Sequence, residues 1–206
     1  MAKREEDIEK NLTGEDLPEH ELKSSWFKRV QKGILTKSTD KKEIQEGLWS
    51  KCPECKYTST TQELAENKFV CPQCNYHHRI GSAEYYDILF DGDEFTELFD
   101  NIRSKDYLGF TDLKPYGKRL EEIWKKSDLH DSIRVAVGKV NGEEIVVCCM
   151  DFDFIGGSLG SVMGEKIARG VDYCLQHKLP MLMICKSGGA RMMESAFSLM
   201  QLAKIS

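Results

Sequence analysis

The sequence predicts an α/β chain in two parts, a small four-cysteine ribbon followed by a layered sheet with helices against it. Three observations carry that expectation. Two Cys-x-x-Cys pairs, Cys52/Cys55 and Cys71/Cys74, stand fifteen residues apart, the spacing of a four-thiolate zinc site. Two β-rich runs, 133–140 and 143–154, meet at Asn141-Gly142, a dipeptide suited to a tight hairpin. From Asp151 to Ser195 the order turn, helix, strand, turn, helix follows the second run, with a glycine pair in each turn, as expected where helices cover a sheet.

Composition sets the limits. The 206 residues are 40% hydrophobic with a formal charge of −5, enough for a core and no sign of a polyanion binder as a whole. The N-terminus MAKREEDIEK lacks the apolar stretch of a signal peptide, and no run is long enough to cross a membrane. This predicts a cytoplasmic, reducing setting, in which the eight cysteines serve as metal ligands or core residues rather than disulfides.

Residues 1–23 hold eight acidic and four basic side chains and few large apolar ones, the composition of a disordered acidic tail. Trp26, Phe27, Val30 and Ile34 then recur at helical spacing, which predicts a short amphipathic helix docked on a partner or on the body. A polar linker, 36–46, completes a first segment of 1–47. The ribbon occupies 48–80. Each knuckle brings two sulfurs to one face of a turn, and Cys52, Cys55, Cys71 and Cys74 together close a tetrahedron around Zn²⁺ with no position open, which marks a structural metal. His77 and His78 are surplus to it. Lys51, Lys56, Lys68 and Arg79 face Glu54, Glu63 and Glu66, and four thiolates on zinc add about two negative charges. Nucleic-acid binding is therefore a secondary reading, lacking a basic stripe.

The larger domain, 81–206, begins with an apolar helix over Ser82 to Phe90, with Ser82 as its cap, expected to pack the ribbon onto the body. Gly109 and Pro115 break the stretch that follows. Leu120, Ile123 and Trp124 mark another helix with no chemical signature. In the second strand of the hairpin, Cys148 and Cys149 lie on opposite faces and read as core, as do Cys174 and Cys185. Ser161 begins a helix buried along Met163, Ile167, Val171 and Cys174, with His177 and Lys178 at the negative pole of its dipole. Met181 to Cys185 fills the next strand, and a last helix runs through Met192, Phe197, Met200 and Leu202.

The two glycine turns are the candidate site. Gly156, Gly157 and Ser158 follow the hairpin, and Gly188, Gly189 and Ala190 follow the next strand. Neither turn has a nucleophile with an evident base, so any chemistry here falls to backbone N–H groups, freed where glycine lets the chain turn sharply and backed by a helix dipole, able to stabilise an oxyanion. Each turn alone equally fits an ordinary tight connection. Two of them, one helix and one strand apart, favour the anion-binding reading.

With GLWSKCPEC, CPQCNYHHRI, GGSLGSVMGEKI and SGGARMMES standing in this order, the chain from Trp26 to Ser206 resembles the beta subunit of bacterial acetyl-CoA carboxylase carboxyltransferase. The resemblance implies a crotonase-like (ClpP/crotonase) fold of stacked ββα units, here its N-terminal part. It also implies transfer of a carboxyl group from carboxybiotin on a carrier protein to acetyl-CoA, giving malonyl-CoA for fatty acid synthesis. Implied partners are the alpha subunit in an α2β2 heterotetramer, the biotin carboxyl carrier protein and biotin carboxylase, the ATP-using member of the complex. By the same resemblance Gly156, Gly157, Ser158, Gly188, Gly189 and Ala190 become backbone donors to the biotin ureido oxygen, and the alpha subunit supplies the hole for the CoA thioester. Arg191 fits either a CoA phosphate contact or a brace to Glu194, and Glu165 a favourable dipole contact. Met193 departs from the glutamine usual in the family, and the family's subunit runs on beyond Ser206. Two other readings differ in kind: a ribbon protein contacting nucleic acid, and a crotonase-like hydratase or isomerase, which would want a catalytic carboxylate and leaves the ribbon unexplained.

Overall fold

The computed structural model describes residues 47–206. The expected acidic tail, the amphipathic segment at Trp26 to Ile34 and the linker lie outside the described residues.

The ribbon starts with two short antiparallel strands, β1 (Trp49–Lys51) and β2 (Thr58–Thr60), with Trp49 opposite Thr60. Helix α1 (Thr61–Glu66) follows directly. Its start is a capping box: Thr60 Oγ1 accepts from the Glu63 amide at 3.1 Å and Glu63 Oε2 accepts from the Thr60 amide at 3.0 Å, satisfying two of the donors a helix N-terminus leaves open. The two cysteine knuckles are built alike. The Lys56 and Asn75 amides donate back to the Cys52 and Cys71 carbonyls at 3.1 and 2.9 Å, and both residues sit at positive φ, 64° and 59°, which folds each sulfur pair to one side.

Helix α2 (Ser82–Leu89) leads into strand β3 (Phe95–Leu98), and helix α3 (Tyr116–Lys126) into the hairpin β4 (Ile133–Val140) and β5 (Glu143–Met150). Helix α4 (Ser161–His177), strand β6 (Met181–Ile184) and helix α5 (Ala196–Ile205) complete the chain. The sheet order is β3-β4-β5-β6, antiparallel except for the parallel pair β5-β6. Because β5 and β6 run the same way, the turns that follow them emerge at one edge of the sheet.

The hairpin forms as its sequence dictates. Asn141 and Gly142 take φ of 52° and 84°, the left-handed pair of a type I′ turn. The Asp91 carboxylate accepts from both their amides, at 3.0 and 2.7 Å. Alternation then sorts β4 and β5 onto two faces. Ile133, Val135, Val146, Cys148 and Met150 pack with Met163, Ile167 and Cys174 of α4, while Ala136, Val147 and Cys149 pack with Tyr86 and Phe90 from α2 and its end. Cys148 and Cys149 thus lie on opposite faces as expected, and burial pushes both thiols up to about 12, which leaves them neutral and unreactive. A third cluster joins Tyr116 and Leu120 of α3 to Phe154 and Met193.

Several boundaries and burials differ from the sequence expectation. The cap of α2 is Gly81 rather than Ser82, whose hydroxyl is buried without a partner among the described residues; the Ser82 amide donates to Asp151 Oδ1 at 2.7 Å, so a distant aspartate does the capping. The helix packs on β4 and β5. Strand β5 ends at Met150, not Phe154, because the chain turns into a short helical turn at Ile155–Gly157. Strand β6 ends at Ile184, and Cys185 is exposed rather than core. Val171 is half exposed; the inner position beside it belongs to Gly170, where a Cβ would meet Met181 and Cys148 at 3.2 and 3.6 Å. The last segment splits into a short turn at Met192–Glu194 and α5. Helix α5 turns Ser198 and Gln201 inward, while Phe197, Met200 and Leu202 are exposed. The apolar rule fails there because Ser198 Oγ sits inside, its one proton within reach of the Leu159 and Arg191 carbonyls at 2.9 and 2.7 Å.

Candidate functional site

The two glycine turns are bonded to one another. The Gly188 amide donates to the Gly156 carbonyl at 2.9 Å, Leu159 N–H to Gly189 O at 2.9 Å, and Arg191 N–H to Leu159 O at 2.8 Å, so Leu159 and Ala190 form a parallel bridge. The first turn is strained into place: Ile155, Gly156 and Gly157 have φ of 46°, 64° and 64°, and a β-branched residue with positive φ is costly. At Gly157 no side chain fits, since a Cβ would lie 2.3 Å from the Lys186 carbonyl oxygen.

This pairing divides the six expected donors. The amides of Gly157, Ser158 and Gly188 are spent on the carbonyls of Phe154, Ile155 and Gly156 at 2.9, 3.2 and 2.9 Å. The Gly189 amide donates to Ser187 Oγ at 3.0 Å. The amides of Gly156 and Ala190 donate to nothing among the described residues, and Ala190 is exposed. The geometry therefore leaves one open N–H on each turn. The helix behind the first turn is less open than expected, because the Ser161 amide at the start of α4 is held by Glu194 Oε2 at 2.6 Å.

Arg191 follows the second turn, and its side chain is fully buried. Its two Nη1 hydrogens are shared among Asp131 Oδ2, Glu194 Oε1, Ser104 Oγ and Tyr116 Oη, which lie at 2.9, 3.0, 2.7 and 3.2 Å. Its Nη2 reaches Asp131 Oδ1, Ser132 Oγ and the Ser158 carbonyl at 3.1, 3.2 and 3.0 Å, and Nε reaches Ser158 Oγ at 3.1 Å. Burial alone lowers the pKa of a guanidinium, but Asp131 beside it, with Tyr116 and Glu194, raises it, so Arg191 stays charged. With every donor engaged inside the fold, the guanidinium has no face for a CoA phosphate, and the bracing alternative describes it. Gly160 is required next to it, because a Cβ there would sit 2.5 Å from Nη1. Burial raises the Tyr116 pKa, keeping its hydroxyl a donor to Glu194 Oε1 at 2.8 Å.

Asp131, Ser132, Ser104 and Tyr116 escaped the sequence reading. They stand 59 to 87 residues from Arg191, and no local spacing links them. Asp131-Ser132, polar and just ahead of a strand with buried ends, is the one hint present. Glu165 meets Arg169 at 2.6 Å and also pairs with Lys204 of α5, so it ties two helices together rather than only meeting the dipole. Met193 is buried against Tyr116, Leu120 and Phe154 and lines a cavity of about 230 Å³ shared with Tyr107 and Phe197.

In the ribbon, the four cysteine sulfurs lie within 4.8 Å of one another, with Cys52–Cys74 and Cys55–Cys71 separations of 3.6 and 3.7 Å. Zn–S bonds of about 2.3 Å at tetrahedral angles require S···S distances of roughly 3.8 Å, so the donor set fits Zn²⁺. The thiols titrate as a set. Burial raises Cys71, but the Cys74 and Gln73 amides overrule it and draw the group down to about 7, while burial pushes Cys74 up to about 12. His77 and His78 stand outside the cluster; His78 packs edge-on against Tyr76. No helix among the described residues is long and apolar enough to cross a membrane.

The carboxyl transferase domain family matches residues 84–206. The chain belongs to that carboxyl transferase family. Residues 49–74 match the acetyl-CoA carboxylase zinc finger domain, which covers both knuckles of this carboxyl transferase chain. The acetyl-coenzyme A carboxylase carboxyl transferase subunit beta of Pedobacter heparinus is 61% identical over 182 residues, 88% of this chain and 65% of that protein. The subunit of the same name from Flavobacterium psychrophilum is 57% identical over 182 residues, 88% of this chain and 64% of that protein. The chain therefore spans somewhat less than two thirds of the length of these relatives. Among solved structures, transcarboxylase 12S superposes with a TM-score of 0.51 at 24% identity over 61% of this chain and 22% of that one. Together with the domain match, that likeness agrees with the crotonase-like fold expected from the sequence.

Proposed function

We propose that this chain forms the beta part of an acetyl-CoA carboxylase carboxyltransferase. It would transfer carboxyl from carboxybiotin, presented on a carrier protein, to the methyl carbon of acetyl-CoA, giving malonyl-CoA. The observation that carries this reading is the bonded pair of glycine turns with an open amide on each, at Gly156 and Ala190, within a carboxyl transferase domain. Carboxybiotin would supply the activated carboxyl group, and the site would then have to meet negative charge on the ureido oxygen as that group leaves. The part of this chain is to receive that charge: the Gly156 and Ala190 N–H groups donate to the oxygen, and the buried Arg191 network holds both turns rigid so that little reorganisation is needed. If the ureido group takes the methyl proton and the resulting carbanion bonds to the released carboxyl carbon, no side-chain acid or base of this chain would be required, in keeping with its neutral, buried thiols and braced carboxylates. The alpha subunit provides the oxyanion site for the thioester, the carrier protein and biotin carboxylase complete the complex, and the assembly works in the cytoplasm.

Cys52, Cys55, Cys71 and Cys74 hold one structural Zn²⁺. Chelation of the full-length protein is expected to remove one zinc per chain and melt the ribbon while the sheet domain keeps its secondary structure. Acidification does the same, since each thiolate must stay deprotonated to bind. Zinc release measured against pH should rise as pH falls below neutrality, and retention of zinc by a Cys71→Ser variant at wild-type affinity would refute the assignment.

The function is tested by assembling the full-length chain with its alpha subunit and supplying carboxylated carrier protein and acetyl-CoA. Malonyl-CoA is the expected product. Formation of none by a folded, zinc-loaded complex would reject the reading.

A further inference from the structure

Glu194 is nearly fully buried, 4% exposed, and both its oxygens are engaged. Oε1 accepts from Tyr116 Oη at 2.8 Å and from Arg191 Nη1 at 3.0 Å, and Oε2 accepts from the Ser161 amide at 2.6 Å. These partners belong to three different elements. Tyr116 opens α3, Arg191 closes the second turn, and Ser161 is the first residue of the helix launched from the first turn. The carboxylate also sits at the positive pole of α4, where negative charge is favoured, and its bonds to Arg191 and Ser161 are charge-assisted, hence stronger than neutral ones. The backbone bonds between the turns fix their spacing. Glu194 adds a direct tie from the end of the second turn to the first helical amide of α4, and through α4 to the direction in which the first turn leaves the sheet.

We propose that Glu194 is a positioning residue for carboxyl transfer, holding the α4 start and the second turn in the one mutual orientation in which the Gly156 and Ala190 amides serve a single oxyanion. This rests on the oxyanion assignment above. Glu194 does not touch the reacting atoms: its two oxygens are consumed by the scaffold. Its sequence neighbours conceal the role, since an acid three residues after an arginine on a helical turn reads as an ordinary surface ion pair.

The test uses the full-length chain assembled with its alpha subunit, with turnover expressed per folded, zinc-loaded complex. Glu194→Gln preserves shape and an acceptor for Ser161 but sets an amide NH₂ against Arg191 Nη1. Its kcat is expected to fall about tenfold or more, as a small misplacement of catalytic groups does, while KM for acetyl-CoA stays within about twofold because the thioester is bound elsewhere. Tyr116→Phe, which removes one of the three donors, is expected to lose less, about threefold. A Glu194→Gln complex with wild-type kcat overturns the proposal, as does a loss shared equally between kcat and KM for acetyl-CoA. If that variant does not fold, Tyr116→Phe decides, and unchanged turnover overturns the proposal. Ala190→Pro separates the two levels. Loss in Ala190→Pro with none in Glu194→Gln refutes positioning alone, whereas wild-type turnover in Ala190→Pro refutes the oxyanion assignment itself.

Discussion

Ala190→Pro is expected to lower carboxyl transfer by about 10² to 10³-fold, the cost of losing one oxyanion donor. The substitution is suited to the question because it deletes that N–H; it also fixes φ at about −65°, so zinc content and unfolding are measured beside turnover. The Ala190 amide donates to no group among the described residues, so no hydrogen bond of the fold is lost. The residue before it, Gly189, is a glycine at φ 109° in open space, so the ring of the new proline meets no Cβ there. The neighbouring glycines make poorer probes. A side chain at Gly157 collides with the Lys186 carbonyl, and any residue at Gly189 strains a positive φ, so loss of activity in either case would confound chemistry with folding. For Ala190→Pro, zinc content and the unfolding midpoint should match wild type while malonyl-CoA formation collapses.

The second large effect is on stability. Arg191→Met should destabilise the domain by about 3–5 kcal/mol, because it leaves two buried carboxylates, Asp131 and Glu194, without their cation. Both are almost completely shielded from water, so neither can be rescued by solvation as a surface acid would be. The double variant Arg191→Met, Asp131→Leu should lose less than Arg191→Met alone, since it removes one of the two orphaned charges and leaves only Glu194 without its cation. Urea unfolding of the three proteins measures this directly; a single variant as stable as wild type would mean that the network contributes nothing to the fold.

What could be read from the sequence was the local physics. The hairpin at Asn141-Gly142 was legible because two successive positive φ angles are demanded there and these residue types accept them. The ribbon was legible because two knuckles at fixed spacing admit one geometry for four sulfurs. That both glycine turns emerge at the same strand ends followed from the order of elements, which sets β5 and β6 parallel. The hydrogen bonds that divide the donors were not legible. Whether a given N–H in a glycine turn is open depends on what the other turn presents, and Gly188 spends its amide on the carbonyl of Gly156, a helix and a strand earlier. The brace around Arg191 was half visible, through the neighbouring Glu194. Its larger half, Asp131, precedes the first strand of the hairpin, 60 residues from Arg191, beyond the reach of any periodicity. Helix α5 misled for a different reason: Ser198 faces inward where the Leu159 and Arg191 carbonyls lie within reach of its hydroxyl, and Gln201, three residues on, shares that face against Gly164.

The central claim is that one oxyanion is held between two open amides, one on each turn. A structure of the full-length chain with its alpha subunit and a biotin-type urea bound tests it most directly. The account predicts the ureido oxygen at about 2.7–3.1 Å from both the Gly156 and Ala190 nitrogens, with the Gly157, Ser158 and Gly188 amides still bonded within the turns. A ureido oxygen seated on other donors, with both of those nitrogens out of hydrogen-bond reach, would contradict it.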